Sequence, residues 1–83
     1  MQGVWVEFNH PRYGLERYKI KVVRKFNVPT DTIAPIPNRR RDQEYINSIV
    51  VGRGVSEEEI MNYMVEYFKR TGMLDKVLWM KLM

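Results

Sequence analysis

Arg17, Lys19, Lys21 and Lys25 sit with Val23 on the odd positions of one stretch, Arg17–Phe26. Tyr18, Ile20, Val22 and Phe26 sit with Arg24 on the even ones, so one parity is mostly cationic and the other mostly apolar. Successive side chains of an extended chain point to opposite faces. This spacing therefore predicts a strand with an apolar side for a core and a cationic side for anions. Two flat aromatics, Trp5 and Trp79, are the other residues with binding chemistry, and Lys81 follows Trp79 at the same spacing of two. Cations hold phosphates and aromatic rings stack on exposed bases, which together is the requirement for binding single-stranded nucleic acid. The run Arg39-Arg40-Arg41 would extend the same positive field. The candidate nucleic-acid-binding set is thus Trp5, Arg17, Lys19, Lys21, Lys25, Arg39, Arg40, Arg41, Trp79 and Lys81. A second reading uses the same face differently. Tryptophans ringed by lysines also suit a protein contact, as in a homodimer, an inhibitor or an accessory subunit. A lysine-rich outer strand that only stays solvated, and so resists edge-to-edge association, would give the same alternation.

Other features that resemble chemistry have plainer explanations. Gly52-Arg53-Gly54 precedes a helix, as phosphate-binding loops do, but Glu57, Glu58 and Glu59 occupy that helix start and would repel phosphate. The three glutamates do not form a metal cluster either, because consecutive helix residues diverge by about 100°. His10 is the only histidine and lies beside Pro11 in turn-forming sequence, without the convergent ligands a metal needs. One histidine also gives no basis for a Ser-His-Asp constellation. Met61, Met64 and Phe68 recur at helical spacing and read as core. No catalytic residue, cofactor or small-molecule substrate is expected, and the chain reads as non-enzymatic.

Composition frames these readings. The chain has 83 residues, 45% of them hydrophobic and 12% aromatic, which suffices for one folded domain spanning residues 1–83. The net charge of +4 is unevenly placed. Residues 1–55 hold ten Lys/Arg against five Asp/Glu, whereas residues 56–83 hold four against five. An excess of cations in one half suggests a face made for anions. The absence of cysteine excludes disulfides and thiolate sites and favours a reducing compartment. No apolar run approaches the roughly 18 residues of a membrane span, and the first residues lack signal-peptide patterning. The expected location is the cytoplasm, and no membrane partner is expected.

The elements that must position the cations follow from periodicity. Val4, Val6 and Phe8 alternate with Trp5 and Glu7, predicting a first strand. Pro11 and Gly14 supply a turn, so the first 26 residues form an antiparallel hairpin. Residues 27–44, with Pro29, Pro35 and Pro37, read as a long loop carrying the Arg39–Arg41 cluster, with Ile33 and Ile36 available to pin it to the core. A third strand is expected over Tyr45–Val51, with its buried face open to either parity and a short helix over Arg41–Ser48 as the competing reading. Ser56 and Glu59 make a capping box for a helix over Glu57–Thr71, whose stripe is Ile60, Met61, Met64, Val65 and Phe68 and whose stop is Gly72. A last strand over Lys76–Met83 buries Leu78, Met80 and Leu82. The expected fold is α+β in the order β-β-β-α-β. One amphipathic helix packs on one face of a three- or four-stranded sheet, and the opposite face stays open.

Overall fold

A computed structural model describes residues 2–37 and 46–83. The class is α+β as expected, but the sheet has five strands: β1 (Gly3–His10), β2 (Gly14–Lys25), β3 (Ile33–Pro37), β4 (Ile46–Gly52) and β5 (Val77–Leu82). The helix α1 (Glu57–Arg70) and a single 3₁₀ turn (Leu74–Lys76) lie between β4 and β5. Spatial order is β3-β4-β2-β1-β5. All neighbours are antiparallel except β2 and β4. The strand β5 therefore runs in the same direction as β4, with β2 and β1 between them, and α1 makes the crossover.

The hairpin forms as its alternation dictates. Val4, Val6 and Phe8 of β1 lie with Ile20 and Val22 of β2 under the helix, and all are buried. The helix contributes Ile60, Met64 and Phe68 to the same cluster. Its start is the anticipated capping box: Ser56 Oγ accepts from the Glu59 N–H at 3.1 Å, and the Glu59 carboxylate accepts from the Ser56 N–H at 3.4 Å. Gly72, at φ 74°, ends it.

The segment read as a loop over 27–44 contains a strand. Ile33–Pro37 forms the edge of the sheet beside β4. Proline is tolerated there because only one side of an edge strand is paired. The Gly52 N–H donates to the Thr32 carbonyl at 2.8 Å, which sets the phase of the ladder. Residues 34 and 36 then turn their backbone toward β4, and Pro35, lacking an N–H, faces outward. Residues 26–32 arch over the end of β4 to reach this edge. Gly52 and Gly54 allow the close approach, since a Cβ at Gly52 would collide with the Pro29 carbonyl and come within 2.6 Å of the Thr30 carbonyl. Ile33 packs against the core, whereas Ile36 is 41% exposed on the other side of the sheet and does not pin it.

Two bulges correct the remaining face assignments. Asn47 is an extra residue in β4, between the Pro37–Ile46 and Ile36–Ser48 pairs, so Ile46 joins Ile49 and Val51 in the core despite the parity change. Leu78 is extra in β5, between Phe8–Val77 and Glu7–Trp79. Val77 thus takes the core position expected for Leu78, which is 57% exposed. Phe26, expected on the buried side of the second strand, lies beyond its end and is 74% exposed. Tyr45, Arg39, Arg40, Arg41 and the alternative helix up to residue 45 lie outside the described residues.

Candidate functional site

The face of the sheet away from α1 gathers the cations and both tryptophans. Register places them in adjacent rows. Lys81, Trp5 and Lys19 lie side by side across β5, β1 and β2, and the next row is Trp79, Glu7 and Arg17. Gly3 and Lys21 form a third row, and Lys25 lies farther along β2. Every candidate of the described residues is on this face: Trp5, Arg17, Lys19, Lys21, Lys25, Trp79 and Lys81. The hairpin brings β1 and β2 together, and the α1 crossover returns β5 to the far side of β1.

The side chains are interleaved. The Lys19 ammonium lies 5.7 Å from the centroid of the Trp5 ring, and the Arg17 guanidinium 5.7 Å from that of Trp79. Gly3 makes room for this arrangement, because the aliphatic stem of Lys19 crosses where a Cβ would stand, its Cγ 2.8 Å away. Trp5 is half-buried under that stem, and Trp79 is 39% exposed. Glu7 is a member of the face that was not among the candidates. Its carboxylate accepts from Arg17 Nε at 3.0 Å and Nη2 at 2.8 Å. The alternation of β1 already put Glu7 beside Trp5, so the signal was present in the sequence. Among the described residues the face carries five cations against this one carboxylate, with Arg17 neutralised locally.

Toward β4 and β3 the same face becomes apolar. Val23, Val50 and Ala34 align across β2, β4 and β3, and Ser48 and Ile36 lie in the row beside them. Ser48 is buried although it faces away from the helix.

Residues set aside on sequence grounds have structural roles. His10 Nδ1 accepts the N–H groups of Arg12 at 3.0 Å and Tyr13 at 3.2 Å, closing the turn that Gly14 completes at φ 79°. Its ring is buried and lies 4.7 Å from that of Tyr13. Gly52-Arg53-Gly54 forms the crossing described above. Arg24, an even-position residue of β2, reaches the same corner, its Nη1 donating to the carbonyls of Gly52 at 2.8 Å and Val55 at 3.0 Å. A surface depression of about 560 Å³ is lined by His10, Arg12, Thr71, Gly72 and Lys76 among others. It sits at the carbonyl end of α1, whose dipole disfavours anions, and His10 Nδ1 already holds two donors. Among the described residues no three His, Asp or Glu side chains are grouped to hold a metal. No described helix is long and apolar enough to cross a membrane.

Comparison with protein-family models, curated proteins and solved structures finds no match to this chain. A functional reading rests on the chemistry of the open face.

Proposed function

We propose that this chain is a small non-enzymatic protein that binds nucleic acid in the cytoplasm, laying a single strand across the open faces of β5, β1 and β2. The supporting observation is the register that sets Trp5 between Lys81 and Lys19, with Trp79 one row away. Phosphates would meet Lys19, Lys21, Lys25 and Lys81, and bases would stack on the tryptophans. The energetics favour the exchange. An exposed cation–π contact is worth about 0.5–1 kcal/mol, whereas a stacked base contributes about 1–3 kcal/mol. A base can therefore displace Lys19 or Arg17 from its ring, and the released cation is free for a phosphate. Arg39–Arg41 would add charge without base selectivity.

The apolar rows at Val23, Val50, Ala34 and Ile36 favour a second reading, in which this face docks a protein partner. Binding of labelled single- and double-stranded oligonucleotides by anisotropy separates the two. Lys19→Glu combined with Lys21→Glu should weaken binding about tenfold or more, because each reversed charge removes a phosphate contact. Lys69→Glu, on the helix, should leave it unchanged. Absence of any complex at low salt, or equal loss in the helix variant, would favour the protein-docking reading.

A further inference from the structure

The two edges of the sheet are not equivalent. On β3 the outward positions are Ile33, Pro35 and Pro37, and the two prolines have no N–H to offer. On β5 the outward positions are open. Gly3 and Met83 exchange both backbone bonds at 2.9 Å, which fixes the phase of the β1–β5 ladder. Residues 79, 81 and 83 bond toward β1, so Met80 and Leu82 turn their N–H and C=O groups away from the sheet. No backbone bond among the described residues satisfies them.

The geometry points to a second copy of this chain as the occupant of that edge, with the two β5 strands antiparallel about a two-fold axis at Met80. In this register each opposed pair is complementary. Met80 meets the partner subunit's Met80 as a hydrogen-bonded pair. Trp79 lies opposite the partner subunit's Lys81, and Lys81 opposite the partner subunit's Trp79, at the closer non-hydrogen-bonded spacing. These are the same cation–aromatic pairings that the open face already makes within one chain. Leu82 falls opposite the bulge at the partner subunit's Leu78. A register centred on Lys81 would instead set two lysines face to face, which is unfavourable. The outward prolines disfavour strand addition at β3, so association closes at the two-fold dimer. The product is a continuous ten-stranded sheet with both open faces on one side. This inference does not depend on nucleic-acid binding.

The test is made without nucleic acid. Sedimentation equilibrium of the wild-type chain across micromolar concentrations should give twice the chain mass at the upper end. Met80→Pro removes the central N–H and should give a monomer. Because the chain has no cysteine, Met80→Cys supplies a second readout even if the proline variant unfolds. Facing residues in a hydrogen-bonded antiparallel pair are about 5.5 Å apart at Cα, within reach of a disulfide. Mild oxidation of Met80→Cys should yield covalent dimer, and Leu82→Cys should yield far less. A monomer at every concentration overturns the proposal, as does a dimer that Met80→Cys fails to cross-link.

Discussion

At the residue scale, several side chains that invite a chemical reading hold the backbone in place. The buried His10 ring accepts two N–H groups of an otherwise exposed turn, so His10→Ala should cost about 1 kcal/mol by removing those bonds. Asparagine can place Oδ1 near the same position, so His10→Asn should recover part of the loss. Urea midpoints of the three proteins check this. The glycines divide similarly. Gly52→Ala pushes a methyl into backbone carbonyls and should destabilise by about 1–3 kcal/mol, whereas Gly3→Ala meets only the movable stem of Lys19 and should cost much less. Tyr67 carries a pH effect. Burial first, and Tyr63 second, raise its hydroxyl above 10.0, against the lowering influence of Arg70 and the backbone of Ile46. The folded state thus prefers the neutral phenol. That contribution is complete below 10.0 and fades as pH rises through the higher folded value. Urea midpoints followed into alkaline solution should fall less steeply for Tyr67→Phe than for the wild type.

At the element scale, regular periodicity was legible and its interruptions were not. The hairpin and the capped helix follow from alternation and from Ser56 with Glu59, because local chemistry and tertiary burial agree there. β3 was hidden, since three prolines within residues 29–37 argue against a strand unless its place at the edge is known. The bulges at Asn47 and Leu78 moved Ile46 and Val77 into the core, and no local signal in the sequence marks an inserted residue. The open face was legible to the extent that parity held. Trp5, Lys19, Lys21, Trp79 and Lys81 all lie where alternation put them, while the apolar rows needed β3 and β4 to be placed. Arg24 shows how a corner is secured between elements. Its two bonds join β2 to the turn between β4 and α1, so Arg24→Met should cost about 1.5–3 kcal/mol, read as a fall in the denaturation midpoint.

At the scale of the molecule, charge is sorted by side. The open face of the sheet presents Lys19, Lys21, Lys25 and Lys81, while the first turn of α1 presents Glu57, Glu58 and Glu59 on the other side of the sheet. Such a polarity orients an approaching polyanion toward the sheet. Both tryptophans of the chain are on that face, so intrinsic fluorescence reports on it selectively. The most direct measurement is therefore a fluorescence titration with single-stranded oligonucleotide at about 20 mM and about 200 mM salt. If the four lysines contact phosphates, the expected result is saturable quenching at low salt and a loss of about 600-fold in affinity at the higher one. Unchanged fluorescence with no complex at low salt, or an affinity indifferent to salt, would contradict it.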